Sequence, residues 1–158
     1  MYIRYEDEDF ENVDAVAVIK GSAKYPGIRG LVRFYQTDSG VYIVVSVTGL
    51  PRVEDACSSP IFAMHIHNGG SCEGRGEKDA FPMSGTHYNP NACEHPYHSG
   101  DMPPLFSANG IAMLSFLTNR FKVREVVGKT IIIHSGIDDF KTQPSGASGE
   151  KIACGVIQ

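Results

Sequence analysis

Alternating apolar and polar residues, together with short apolar runs rich in β-branched side chains, recur along the chain and are typical of β-strands. The segments with this character are DAVAVIKG, LVRFYQ, VYIVVSVTGL, FAMHIH, GIAMLSFLT, TIIIHS and KIACGVI. The breaks between them carry Gly, Pro, Asn or Asp, and only FKVREVVG resembles a helical turn. Seven or eight short strands predict an all-β protein, an antiparallel sandwich or flattened barrel.

Two long segments, residues 68–104 and 135–150, show no strand period. Long irregular loops in a compact domain are usually functional or disordered. The length of 158 residues and the absence of internal repeats predict a single domain over residues 1–158. Within it, the acidic opening, residues 1–12, is expected to form a flexible or edge segment.

The charge pattern argues against two classes of partner. The net charge is −4, and no block of Lys and Arg suggests binding to nucleic acid or to an anionic membrane. No apolar run approaches the length of a membrane span. The opening segment does not resemble a secretory leader, so the chain as it stands is expected to be cytoplasmic. If a leader has been removed, a secreted or periplasmic location is expected, and the sequence leaves both open.

Two of the six histidines, His65 and His67, alternate along the predicted strand FAMHIH. Residues two apart on a strand point to the same face, so these imidazoles project together while Met64 and Ile66 point into the core. Their Cα atoms would lie about 6–7 Å apart, close enough for both rings to bind one metal ion. A pair of exposed or hydrogen-bonded histidines is the alternative.

A second histidine cluster lies in the first long loop, THYNPNACEHPYHSGD. His95, His98 and Asp101 are separated by two residues each, and His87 precedes them in the same loop. Three imidazoles and one carboxylate suit tetrahedral zinc. A polar loop that is rich in histidine by chance is the alternative.

The four cysteines do not form a CxxC pair, which argues against a thiolate zinc site. They are Cys57, Cys72, Cys93 and Cys154. The even number is compatible with two disulfides, and equally with four free buried thiols.

Five segments in order resemble the signature segments of the copper–zinc superoxide dismutases, especially the bacterial branch. They are HIHNGGSC, GTHYNP, HSGDMPPL, IIIHSGIDDF and KIACGVI, and they run from about residue 60 to the C-terminus. The resemblance implies an eight-stranded antiparallel Greek-key sandwich or flattened barrel with two long functional loops. It also implies an oxidoreductase that converts superoxide to dioxygen and hydrogen peroxide by Cu(II)/Cu(I) cycling, with zinc structural.

The resemblance assigns a role to every histidine. The implied copper ligands are His65, His67, His87 and His134, and the implied zinc ligands are His87, His95, His98 and Asp101. His87 is then a shared imidazolate that leaves copper and is protonated on reduction. Asp138 is implied to link a copper-site histidine to a zinc-site histidine.

The cysteines match the family only in part. The resemblance implies a disulfide between Cys72 and Cys154, which would tether the first long loop to the last strand. Cys57 and Cys93 have no counterpart, and we expect them to form a second bridge, with two reduced thiols as the alternative.

Lys151 stands where the family usually has an arginine that attracts and orients superoxide. Lysine keeps the charge but lacks the planar fork of donors. Lys151 and Lys141 are therefore the candidates for attracting the anion. A non-catalytic copper- and zinc-binding protein, a carrier or buffer on the same fold, is the alternative function. The sequence is compatible with a homodimer but does not fix the oligomeric state.

Overall fold

The computed structural model describes residues 12–52, 54–55, 60–74 and 79–158. Residues 1–11 of the predicted N-terminal segment and Cys57 lie outside these ranges. Nine strands are present within these ranges: β1 Ala15–Gly21, β2 Arg29–Thr37, β3 Gly40–Thr48, β4 Ile61–Phe62, β5 Met64–His67, β6 Leu105–Ala108, β7 Ile111–Thr118, β8 Thr130–His134 and β9 Lys151–Val156. A helical turn, α1, covers Val123–Val126, and a 3₁₀ turn covers Pro82–Ser84. Within the described part of the chain, no helix is long and apolar enough to cross a membrane.

The long strands follow directly from the alternating pattern. In β3, Val41, Ile43, Val45 and Val47 all point inward and are at most 1% exposed. The residues between them lie on the outer face of the barrel. β3 pairs with β2 on one side and β7 on the other, both antiparallel. Burial of one face of each strand thus forms a single interior core.

The sheet closes into a barrel through one interrupted strand. Its strand order is β4-β6-β7-β3-β2-β1-β9-β8-β5, so β4 and β5 lie at its two ends. Only Ala63 separates these two strands along the chain. β4 pairs with β6, whereas β5 pairs with β8, so one stretch of chain joins both ends. Counting β4 and β5 as one strand gives eight, and the predicted all-β flattened barrel is confirmed.

β6 was not among the strands predicted from the pattern. In this strand Leu105 is fully buried, but Phe106 is 67% exposed on the outer face. An apolar side chain on each face removes the alternation on which the prediction relied. The helical turn predicted in FKVREVVG is present as α1.

The two predicted long loops both lie against the strand that carries His65 and His67. The first connects β5 to β6, and the second connects β8 to β9. Isolated bridges join His65 to Asp101 and His67 to His87, which brings the first loop alongside β5. The loop lies so close to β5 that a Cβ added at Gly100 would be 2.3 Å from the Ile66 carbonyl oxygen. Only glycine allows the loop to lie this near the strand.

Candidate metal centre

The first cluster begins on β5. His65 and His67 project together with ring centroids 6.4 Å apart, while Met64 and Ile66 are fully buried in the core. The predicted division of this strand into a histidine face and a core face is confirmed. The first long loop covers the histidine face, so both imidazoles are at most 2% exposed.

His134 completes the cluster from the end of β8. A register irregularity lies between Ile133 and His134, where β8 pairs with β9. The His134 Nε2 lies 3.3 Å from the His67 Nε2. His65, His67, His87 and His134 each place a ligand atom within 4.8 Å of the others. This set matches the copper ligands implied by the resemblance and fits a copper site.

The second cluster lies in the first long loop. The His87 Nδ1 is 3.3 Å from the His98 Nδ1 and 2.8 Å from the Asp101 Oδ1. The Asp101 Oδ2 lies 3.1 Å from the His95 Nδ1. Two nitrogens bound to one tetrahedral zinc at about 2.0 Å lie about 3.3 Å apart. These four residues, all buried, fit a zinc site.

Three buried imidazole nitrogens have no hydrogen-bond partner among the described residues. They are the His65 Nδ1, the His87 Nε2 and the His95 Nδ1. Buried polar atoms are normally paired, so such atoms need an explanation. Because the His87 Nδ1 belongs to the second cluster, its Nε2 is left for the first. A metal ion in each cluster would provide the missing partners.

Asp138 connects the two clusters from the second long loop. The Nε2–H of His65 donates to one carboxylate oxygen and the Nε2–H of His95 to the other, each at 2.8 Å. An ionised carboxylate only accepts, so it fixes both tautomers and leaves each Nδ1 as a lone pair. Burial would raise the pKa of Asp138, but the hydrogen bonds from His65 and the Phe140 amide hold it well below its ordinary value.

The remaining first-cluster histidines are oriented by backbone carbonyls. The His67 Nδ1–H donates to the Gly85 carbonyl at 2.8 Å, and the His134 Nδ1–H donates to the Gly149 carbonyl at 3.3 Å. Both therefore present Nε2. Burial lowers the pKa of His67 to about 2 and that of His134 to about 3. Both rings are neutral at pH 7, which is the form that binds metal.

Two residues that support the second cluster were not predicted from the sequence. The Gln143 side chain accepts from the His95 amide at 3.0 Å and donates to the His95 carbonyl at 2.8 Å. The Arg120 Nη1 donates to the carbonyls of Pro96 and His98, each at 3.1 Å. Both contacts join positions more than twenty residues apart, so no local spacing could have indicated them.

The disulfide between Cys72 and Cys154 is present, as the resemblance implied. It packs against Phe81 and Ile132 in a small separate apolar cluster. Cys93 is exposed and forms no disulfide with any described residue, and its expected partner Cys57 lies outside the described residues. The second bridge therefore stays a prediction.

Lys151 begins β9 and lies opposite His134 in the β8–β9 register. Its Nζ donates to the Asp79 Oδ2 at 2.7 Å and to the carbonyls of Phe81 and Gly85 at 3.2 and 3.4 Å. Lys141, the other candidate for attracting an anion, is exposed on the second long loop.

The barrel and its two clusters define a class of protein: a β-barrel metalloprotein with two adjacent metal sites that share one histidine. The family model described as copper/zinc superoxide dismutase (SODC) matches residues 28–157. The chain belongs to this family.

Individual relatives agree with this assignment. A protein named superoxide dismutase [Cu-Zn] 2 from Aquifex aeolicus is 31% identical over 83% of this chain and 80% of its own length. A superoxide dismutase [Cu-Zn] from Legionella pneumophila is 32% identical over 92% of this chain and 87% of its own length. A copper chaperone for superoxide dismutase from Rattus norvegicus is 27% identical over 90% of this chain and 52% of its own length.

Proposed function

We propose that this chain, one domain over residues 1–158, catalyses the dismutation of superoxide with copper and zinc as cofactors. The observation that carries the proposal is His87, which belongs to both clusters. Bound copper supplies a one-electron redox couple, whereas zinc keeps its oxidation state and supplies a fixed charge. One superoxide gives up an electron and becomes dioxygen. A second gains that electron and two protons and becomes hydrogen peroxide.

The ligand roles are part of this proposal. Copper is held by His65, His67, His87 and His134, and zinc by His87, His95, His98 and Asp101. When copper is reduced, the His87 Nε2 would be free to take up a proton, which His87 then passes to the second superoxide as that anion gains its electron. Its Nδ1 stays beside the Asp101 Oδ1, which keeps the ring in place. The carboxylate of Asp138 holds His65 and His95 in one relative orientation.

Metal analysis combined with a superoxide assay tests the proposal. One copper and one zinc per chain, with turnover that requires copper, are expected. Removal of zinc alone should change the Cu(II) spectrum, because His87 then loses its second metal. An unchanged Cu(II) spectrum would reject the shared imidazolate. Full copper loading without turnover would instead support the carrier or buffer alternative, which the chaperone relative and the lysine in place of the family arginine favour.

Lys151 supplies positive charge beside the copper cluster in this proposal. The Gly85 carbonyl that accepts from Lys151 also accepts from His67. Lys151→Glu should therefore lower kcat/KM strongly, whereas Lys151→Arg should hold or raise it, with copper content unchanged in both. Equal rates for the three proteins at equal copper content would remove Lys151 from the mechanism.

A homodimer is the assembly we propose for the chain. Four apolar side chains on the outer face of β6 and β7 are each at least 42% exposed: Phe106, Ile111, Met113 and Leu117. Contiguous exposed apolar side chains often mark interfaces between proteins. Met113→Lys should shift the sedimentation coefficient to that of a monomer, whereas Val127→Lys, at another exposed position, should not. A wild type that sediments as a monomer would refute the dimer.

A further inference from the structure

The Lys151 ammonium has no spare donor. It carries three protons, and three acceptors surround it: the Asp79 carboxylate and the carbonyls of Phe81 and Gly85. The side chain of Lys151 is 14% exposed, whereas that of Asp79 is 39% exposed. Asp79 is therefore the more exposed partner of the pair and lies on the solvent side of Lys151.

Asp79 also cancels the field of Lys151. The two opposite charges are 2.7 Å apart, so an approaching anion meets a neutral pair rather than a cation. The ion pair lies beside the copper cluster, because Lys151 is opposite His134 in the β8–β9 register and the Gly85 carbonyl accepts from both Lys151 and His67. The carboxylate thus lies within electrostatic range of the copper cluster itself. An anion that approaches this side must displace Asp79 or forgo contact with Lys151.

We propose that Asp79 competes with the substrate anion for Lys151 and so limits anion capture at the copper cluster. This inference rests on the proposed function, because it treats the copper cluster as the place where a small anion is processed. Asp79 reduces the attraction of small anions in general and anchors Lys151 to the loop that carries the disulfide. The rate is then lower than the charge of Lys151 alone would allow, because that charge also fixes the loop through Asp79.

The substitution Asp79→Asn separates these two roles. The Asp79 Oδ1 accepts from the Phe81 amide at 2.9 Å, and the amide oxygen of asparagine can keep that bond and with it the local turn. The charge pair with Lys151 is lost. We expect kcat/KM for superoxide to rise about tenfold at low ionic strength, near the lower end of what local charge does to association rates. Azide affinity, followed by the Cu(II) spectrum, should rise in parallel.

A second ion pair near Asp79 and Lys151 provides a matched control. Lys24 and Glu150 form an ion pair of 2.6 Å at the groove that Asp79 and Lys151 also line. Glu150→Gln changes the net charge by the same one unit but frees Lys24 instead of Lys151. It should leave kcat/KM and azide affinity near the wild-type values. Equal gains in both variants would overturn the proposal in favour of an effect of overall charge.

A double-variant cycle and a metal-independent measurement complete the test. In a Lys151→Gln background, Asp79→Asn should raise azide affinity less than in the wild type, because only the direct repulsion by the Asp79 carboxylate is then removed, and an equal gain in both backgrounds would contradict the proposal. In the metal-free wild type, the Lys151 ammonium protons should exchange slowly with water and give a distinct ¹⁵N-correlated signal. A signal that exchanges as fast as that of Lys141 would also refute the proposal. Absence of turnover in the fully loaded wild type would reject the proposed function but leave these two measurements valid.

Discussion

Reduction of the disulfide between Cys72 and Cys154 should cost the metal-free protein a large part of its stability. The two cysteines are 82 residues apart in sequence. In the chain-entropy model, closing a loop of this length restricts the unfolded chain by about 4.5 kcal/mol at 25 °C. Cys154 is 2% exposed and packs against Phe81 and Ile132. Because reduction removes no heavy atom from the folded protein, little packing is lost and the loss of stability arises mainly in the unfolded state.

Urea unfolding of the oxidised and the reduced protein measures this loss. We expect the free energy of unfolding to fall by about 2–4.5 kcal/mol. The m-value should increase, because the unfolded chain without the bridge exposes more surface. Cys93→Ser serves as the control, since that thiol is exposed and outside the bridge. A loss below about 1 kcal/mol with an unchanged m-value would refute the reasoning.

Three further changes test the support of the two clusters. Gln143→Ala removes both hydrogen bonds to the His95 backbone and should weaken zinc binding about tenfold in a chelator competition. The zinc affinity of Gln143→Glu should lie between those of Gln143→Ala and the wild type. Equal zinc affinities for the three proteins would contradict this role. Asp138→Asn places an amide N–H against an imidazole N–H, so both metals should be lost at about 10–100-fold lower chelator concentrations, and wild-type retention would be inconsistent with the bridge. In the metal-free protein, burial lowers the pKa of His67 to about 2, whereas the unfolded chain binds this proton near pH 6.5. The contribution of His67 to the free energy of unfolding is therefore complete above pH 6.5 and falls by about 1.4 kcal/mol per pH unit towards pH 2. His67→Gln should reduce the slope of the free energy of unfolding against pH by that amount, as measured by urea unfolding between about pH 3 and pH 6.

The fold was predictable where the burial of a strand is local in sequence. The alternation in β3 gave its inward face directly, because one face of the strand lies on the core. β6 could not be predicted in this way, because Phe106 faces outward and removes the alternation. The pairing of β6 with β4 joins residues more than forty positions apart. The division of one strand at Ala63 also depends on partners from both ends of the sheet. Pairing over such distances leaves no periodic signal in the strand itself.

The candidate site was predictable as far as its members are neighbours in sequence or match family segments. The pair His65 and His67 was recognisable from the strand period alone. Gln143 and Asp79 were not, because each meets its partner through side-chain contacts across 48 and 72 residues. In the sequence, Gln143 cannot be distinguished from a solvent-exposed polar residue of a loop. Only the fold brings its side chain to the backbone of His95.

The interruption at Ala63 gives the metal-binding strand a second role. Within the described sheet, β4 and β5 are the stretch of chain that covers the hydrogen-bonding groups of β6 on one side and β8 on the other. If that stretch detached, two strand edges would become available to other molecules, and exposed edges promote aggregation. Because β5 carries His65 and His67, a metal ion that binds them together with His87 and His134 would keep β4 and β5 paired with β6 and β8. Loss of copper would therefore weaken the barrel at the position where separate chains could join.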